Sequence, residues 1–124
     1  MSTYSNRNVC MNNPADHLDI GALQDLKEIM ENEFETLVNT FILDSRNKVE
    51  ELDLVVQQRD CDALRKVAHS LKGSSSNVCA FRLSELARQL EMMGKEETLD
   101  GADKVLTSLR QEFQTVSEIL ANNL

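Results

Sequence analysis

Residues 34–56, FETLVNTFILDSRNKVEELDLVV, decide the fold because apolar and small side chains recur in them at helical spacing. Most successive members of this stripe are three or four residues apart, which places them on one face of an α-helix. The members are Phe34, Leu37, Val38, Phe41, Ser45, Val49, Leu52 and Val56. We expect the helix to begin after Asn32, with Glu35 completing a capping box, and to end around Arg59. Such a long apolar face must be covered by other helices.

The same spacing predicts further helices on both sides of this segment. A short helix precedes it, with Asp19 as its N-cap. After it, Asp60 or Asp62 caps a third helix, and a fourth runs from about Phe81 to Met93. No segment of the sequence has the alternation of apolar and polar residues that predicts a strand.

A fifth helix is expected to start near Thr98, after Gly94 has served as the C-cap of the fourth. Its apolar stripe runs to Leu120 and alternates spacings of three and four, which is typical of a helix packed antiparallel in a bundle. The sequence therefore predicts an all-α fold, an up-down antiparallel four-helix bundle with an additional short N-terminal helix.

Length and charge restrict the classes of function. The 124 residues predict one domain, assigned to residues 18–122, after a flexible, polar and Asn-rich tail of residues 1–17. The net charge of −8 and the pI near 4.7 disfavour binding to nucleic acid or to an anionic membrane surface. Three cysteines without a CxxC spacing favour free thiols and a reducing, cytoplasmic compartment.

The third predicted helix carries His69 on the side opposite to its apolar stripe, within a polar patch. The other members of the patch are Arg65, Lys72, Gly73 and Ser76. A single histidine on a helix surface is most often only solvated, but Arg65 and Lys72 lie at i−4 and i+3, where side chains meet. Cations beside an imidazole disfavour its protonation and offset the charge of a bound phosphoryl group. We therefore expect a neutral, nucleophilic His69.

The residues after Lys72 are unfavourable for a helix. The run from Gly73 to Asn77 costs roughly 3 kcal/mol relative to alanine. Inward-facing serines allow close packing of helices, whereas Gly73 faces outward, one turn from His69. The simplest reason for a missing side chain there is the close approach of another protein. An accessible histidine, a nearby cation and open space fit a carrier that accepts a phosphoryl group covalently.

Residues 68–75, AHSLKGSS, resemble the signature A-H-x-L-K-G-S-S of histidine-containing phosphotransfer (HPt) domains. The resemblance extends from about Leu18 to Leu120, and it includes Leu90-Glu91 at the end of the fourth helix. It implies that His69 is the phosphoacceptor, that Lys72 stabilises the phosphoryl group and that Gly73 clears the docking surface. Because Arg65 and Ser76 share the polar patch with Gly73, we expect them to belong to the same docking surface. Many family members have a glycine soon after the serine run, where this chain reads Asn77-Val78-Cys79-Ala80.

The resemblance also implies partners and a pathway. A stand-alone bacterial HPt protein carries phosphate between receiver domains, one in a hybrid sensor histidine kinase and one in a response regulator of a multistep two-component phosphorelay. The receiver supplies the aspartate and Mg²⁺, so this chain is expected to need no cofactor and no metal of its own. We expect a monomeric carrier without kinase or phosphatase activity.

Two other hypotheses compete with that of a phosphotransfer protein. The dimerisation helices of histidine kinases have an acidic residue directly after the histidine and a proline soon after it, whereas Ser70 follows here and residues 15–124 contain no proline. A helical adaptor that binds a response regulator without phosphotransfer stays the alternative. The sequence further predicts a solvated His17, and it leaves open whether Leu43 and Leu54 pack beneath the first helix or are exposed.

Overall fold

The computed structural model describes residues 13–124, so the first twelve residues of the predicted tail lie outside it. This part of the chain contains a single 3₁₀ turn, Pro14–Asp16, five α-helices and no strand. The helices are α1 (Ile20–Met30), α2 (Glu33–Gln57), α3 (Cys61–Asn77), α4 (Phe81–Glu96) and α5 (Ala102–Asn122).

Helices α2 to α5 form a closed ring of neighbours. Each packs against the next along the chain, and α5 returns to α2, while the most extensive contact joins α3 and α4. The short α1 packs on α2. The predicted up-down four-helix bundle with an added N-terminal helix is therefore confirmed, and the pairing of α3 with α4 brings residues far apart in sequence to one surface.

The stripe of α2 forms much of the core, as predicted. Its members are buried except for half-buried Leu37, and Val55 joins them. The predicted capping box is wrong: Asn32 has helical backbone angles, φ −64° and ψ −23°, and its side chain makes no capping hydrogen bond. Only residues 31 and 32 separate α1 from α2, and Asn32 keeps helical angles within this two-residue turn. Helix α2 ends at Gln57, before Arg59, whose backbone φ is +57°.

Gly94 is not the C-cap of α4, because it lies buried within the helix. A Cβ at this position would lie 2.7 Å from the carbonyl oxygen of Cys61 and 2.8 Å from the backbone nitrogen of Arg65. The glycine therefore allows the backbone of α4 to approach the first turn of α3 closely.

The connection between α4 and α5 lies later in the chain than predicted. Helix α4 continues to Glu96 and ends at the left-handed Glu97, with φ +57°. Thr98 is not helical, and α5 begins only after Gly101, whose φ is +83°. The prediction that the fifth helix starts near Thr98 is wrong, because this left-handed glycine sets the entry into α5.

The N-terminal segment is fastened to the bundle by His17. This side chain is only 7% exposed, and its Nδ1 lies 2.8 and 3.0 Å from the two carboxylate oxygens of buried Glu112. The neighbouring Leu18 is fully buried in the core. The prediction of a solvated His17 is therefore wrong, because its side chain is buried against α5, where Glu112 is its partner.

The sequence left open whether Leu43 and Leu54 of α2 pack beneath α1 or are exposed, and the structure decides this. Leu43 and Leu54 are 62% and 52% exposed, so neither packs beneath α1.

Within residues 13–124, none of the helices combines the length and the apolar character that a membrane span requires.

Candidate functional site

His69 projects from the solvent side of α3. Leu64, Ala68, Leu71 and Ser75 form the buried face of this helix, and His69 lies on the other side with its side chain 65% exposed. The prediction that the imidazole faces away from the core is confirmed. It lies on the half of α3 that faces α4, so residues of both helices reach it.

A carboxylate from α4 contacts the ring. Glu91 Oε2 lies 2.7 Å from His69 Nδ1, and Glu91 Oε1 lies 2.8 Å from Lys72 Nζ. The Glu91 side chain is only 17% exposed, so both interactions are partly shielded from water. The three side chains form a bridged cluster in which one carboxylate fixes both the histidine and the lysine.

This cluster determines which ring nitrogen is free. A carboxylate can only accept, so His69 Nδ1 must carry the hydrogen and donate it to Glu91. In the neutral ring, Nε2 then holds the lone pair. The Lys72 ammonium holds the pKa of Glu91 below its ordinary value, burial opposes this effect, and the His69 hydrogen bond adds to it. Glu91 is therefore ionised at neutral pH.

A carboxylate that the sequence analysis did not place at the site lies beside His69 in addition to the predicted cations. Lys72 is paired with Glu91, and the group in contact with the ring is the carboxylate. Arg65 is engaged with Asp62, at 3.0 Å, in the first turn of α3. Together with Lys66, Arg65 lowers the pKa of Asp62. That Arg65 belongs to a partner-docking surface stays a prediction.

Glu91 is the residue that sequence reasoning missed as part of the site. It is 22 residues from His69, so no helical spacing connects the two. The available signal was its place directly after the fully buried Leu90, where a charged side chain lies at the edge of the apolar face that packs against α3. In this chain the partners of that charge lie on the neighbouring helix and are His69 and Lys72.

Gly73 and Ser76 lie one and two turns beyond His69. A Cβ at Gly73 would have no neighbour within 4 Å, so packing does not require a glycine there and the surface is open. Ser76 is exposed, and its hydroxyl is 2.9 Å from that of Ser84 on α4. Ser84 in turn donates to the carbonyl oxygen of Lys72, at 3.1 Å. These contacts fix the backbone that carries Lys72.

The described residues offer limited means to hold a metal. Within residues 13–124, no group of three or more His, Cys, Asp and Glu side chains is arranged to bind one. Cys61 and Cys79 are free and half-buried, and desolvation, with the nearby Asp19 carboxylate, raises the pKa of the Cys79 thiol. The chemistry available at the surface is that of an exposed imidazole oriented by a carboxylate.

Comparison with known proteins agrees with this geometry. The family model of the Hpt domain matches residues 36–119. The crystal structure of histidine-containing phosphotransfer protein B (HptB) from Pseudomonas aeruginosa PAO1 is similar, with a TM-score of 0.83 and 36% identity over 86% of this chain and 93% of that one.

The histidine-containing phosphotransfer protein ZmHP2 from maize is also similar in structure, with a TM-score of 0.71 and 26% identity over 78% of this chain and 81% of that one. Comparison with curated proteins finds no match. The family match over residues 36–119, together with 36% identity to HptB over most of both chains, shows that this chain belongs to the histidine-containing phosphotransfer (Hpt) domain family.

Proposed function

We propose that this chain carries a phosphoryl group on His69 Nε2 in a phosphorelay. The observation that carries the proposal is the 2.7 Å contact of His69 Nδ1 with Glu91, which leaves Nε2 as the nucleophilic nitrogen of an exposed ring. The Nε2 lone pair attacks the phosphorus of an aspartyl phosphate, the N–P bond forms, the P–O bond to the aspartate breaks, and the aspartate leaves as a carboxylate. Transfer to a second aspartate reverses these steps.

Glu91 acts in this proposal as a positioning residue. When Nε2 is phosphorylated, the ring keeps its Nδ1 hydrogen and can carry positive charge, which the adjacent carboxylate stabilises. The same carboxylate holds Lys72 at 2.8 Å. Because an ammonium group has three donors and this contact uses one, Lys72 can still donate to phosphoryl oxygens. Its side chain is 33% exposed, which supports such a role.

The partner in this proposal is a receiver domain, the class of domain with which Hpt proteins interact. The receiver provides the aspartate and the divalent metal, Mg²⁺, and this chain supplies the histidine, the lysine and open space around Gly73. Close approach at that position supports in-line transfer, since a bulky side chain there would hold the two proteins apart. We further propose a monomeric, cytoplasmic carrier that has no kinase or phosphatase activity of its own.

The proposal is tested by phosphorylation of purified wild-type chain and of His69→Gln with phosphoramidate and with a phosphorylated receiver domain. The wild-type chain should gain one acid-labile, alkali-stable phosphate, and His69→Gln should gain none while its helical circular dichroism is unchanged. His17→Gln is the matched control, because it removes the other histidine and should retain labelling. Labelling of His69→Gln would refute the proposal, and a receiver complex without transfer to the wild-type chain would favour the adaptor.

A further inference from the structure

The carboxylate that faces His69 Nδ1 acts on the phosphorylated ring as well as on the free one. In the free ring, a hydrogen on Nδ1 belongs to a neutral imidazole, because Nε2 keeps its lone pair. Once Nε2 carries a phosphoryl group, the same hydrogen makes the ring a cation. The charge of the phosphorylated ring therefore depends on Nδ1, and Glu91 Oε2 lies 2.7 Å from this atom.

The charge of the ring decides how readily it releases phosphate. When the N–P bond breaks in a ring that carries the Nδ1 hydrogen, the electron pair returns to Nε2 and a neutral imidazole leaves. When Nδ1 carries no hydrogen, the leaving group is an imidazolate anion, which is much more basic and leaves slowly. The protonated ring is therefore the form that can transfer its phosphoryl group.

The negative charge beside the ring is in direct contact with it. Oε2 of Glu91 faces His69, whereas Lys72 Nζ contacts the other oxygen, Oε1, at 2.8 Å. The ammonium holds the pKa of Glu91 below its ordinary value, so the carboxylate is ionised at neutral pH. Lys72 offsets part of this charge, but the Glu91 side chain is only 17% exposed, so water screens little of the remainder.

The other charges near the site are paired with groups away from the ring. Arg65 of α3 contacts Asp62 at 3.0 Å, and Arg88 of α4 contacts Glu85 at 2.8 Å. In the part of the chain that the structure describes, no charged side chain of α2, the other helix that packs on α3, forms an ion pair with α3. Glu91 is therefore the charge that dominates the surroundings of Nδ1.

We propose that Glu91 keeps the phosphorylated ring of His69 protonated on Nδ1, and thereby ready to release its phosphoryl group, at and above neutral pH. The inference rests on the proposed function, since it concerns the ring that carries the phosphoryl group. It gives Glu91 a role in the lifetime of the phosphorylated chain, beyond its role in selecting the nitrogen that is phosphorylated.

The Nδ1 hydrogen then stays in place through a complete cycle of transfer. The Nε2 lone pair attacks the aspartyl phosphate, the P–O electron pair leaves with the aspartate, and the ring becomes a cation that the Glu91 carboxylate balances. Donation to a second aspartate reverses these steps and returns the neutral ring. Because neither direction requires a proton from solvent, the chain transfers phosphate quickly and stores it only briefly.

The test measures the loss of phosphate from the purified phosphorylated chain, without a partner, from acid to mildly alkaline pH. Loss should be fast where the ring is protonated, so each variant has a midpoint pH. Glu91→Gln removes the charge, but its amide oxygen can still accept from Nδ1. Adjacent opposite charges shift a titration by about 1–3 units, and the His69 side chain is 65% exposed, so we expect a midpoint about one unit below wild type.

At mildly alkaline pH, Glu91→Gln should therefore keep its phosphate roughly tenfold longer than wild type. Glu85→Gln is the matched control, because it removes one negative charge from the same helix, where the partner is Arg88 and not the ring. Its midpoint should stay within about a quarter of a pH unit of wild type. A shift as large as that of Glu91→Gln would indicate a general effect of net charge and would overturn the inference.

A titration of the phosphorylated wild-type chain by ³¹P NMR, folded and in urea, needs no substitution. Unfolding separates Glu91 from His69, so the midpoint for protonation of the ring should fall by about one pH unit in urea. Equal midpoints for the folded and unfolded chain, or for wild type and Glu91→Gln, would overturn the inference while leaving His69 as phosphoacceptor. Failure of phosphoramidate to label the wild-type chain would instead refute the proposed function.

Discussion

Gly94→Ala should destabilise the bundle although alanine is the better helix former. The added Cβ would lie 2.7 Å from the Cys61 carbonyl oxygen and 2.8 Å from the Arg65 nitrogen, both backbone atoms that no rotamer change can move. Alanine gains about 1 kcal/mol of helix propensity over glycine. Overpacking of a tight contact costs about 1–3 kcal/mol or more. Because backbone meets backbone here, we expect the cost to exceed the gain, with a net loss of about 1–2 kcal/mol.

The same substitution should disturb the site. Gly94 lies one turn after Glu91 on α4, and the backbone that it contacts belongs to the helix that carries His69. Separation of the two helices lengthens the contact between His69 Nδ1 and Glu91, which is 2.7 Å in the native arrangement. Phosphoryl transfer by Gly94→Ala should therefore slow even where the variant is fully folded.

Gly73→Ala is the matched control on the facing helix. A Cβ there would have no neighbour within 4 Å, so only the propensity gain of about 1 kcal/mol remains. Urea unfolding followed by circular dichroism measures both variants, and equal m-values permit comparison of the midpoints. The midpoint should fall for Gly94→Ala and rise for Gly73→Ala. A midpoint for Gly94→Ala at or above the wild-type value would refute the close-approach argument.

Three further sets of substitutions test separate features. Glu91→Gln should make the free energy of unfolding fall less steeply as the pH is lowered. The lowered pKa of Glu91 stabilises the fold above the ordinary value of 4.5, and this contribution is lost as the pH falls. Equal acid sensitivity of wild type and Glu91→Gln in urea titrations at several pH values would exclude the pairing with Lys72. Arg59→Gly should raise the free energy of unfolding by about 0.5–1 kcal/mol, because the exposed Arg59 has a φ of +57°; Arg59→Val should lower it, and the opposite order would contradict the argument. His17→Ala should cost about 3 kcal/mol by leaving buried Glu112 without its histidine, and addition of Glu112→Leu should recover most of the loss. An undiminished midpoint for His17→Ala would show that the pair does not stabilise the fold.

The architecture was predictable because burial repeats with the helical period. The stripe of α2 from Phe34 to Val56 has one continuous buried side, and only the core can explain such a pattern. The N-cap Asp19 was also predictable, since its carboxylate accepts from a backbone N–H group within its own first turn. For α3 the sequence offered Asp60 or Asp62, and Asp60 is the cap.

The ends of the helices were less predictable. The connections between helices contain residues with positive φ that are not glycine, namely Glu31, Arg59, Cys79 and Glu97. Because sequence rules expect glycine at such positions, the predicted end of α2 was too late and the predicted end of α4 was too early. Gly94 was wrongly predicted to be the C-cap of α4, because a glycine after an apolar run marks either a C-cap or a close contact between helices.

The site was predictable only where its residues share one helix. His69, Lys72 and Gly73 follow from the helical wheel of α3, whereas Glu91 comes from α4 and meets His69 only through the packing of the two helices. Arg65 has the right spacing, but Asp62 lies on the same surface and holds it. Local spacing identifies which groups can meet, and the competing partners decide which of them do.

The central claim is that Glu91 fixes the hydrogen on His69 Nδ1 and leaves Nε2 to accept phosphate. Heteronuclear NMR of the chain labelled with ¹⁵N in histidine and phosphorylated by a receiver domain tests it directly, since coupling to ³¹P identifies the substituted nitrogen. We predict phosphorus on Nε2 of His69 and a hydrogen retained on Nδ1. Phosphorus on Nδ1, or on His17, would contradict the account.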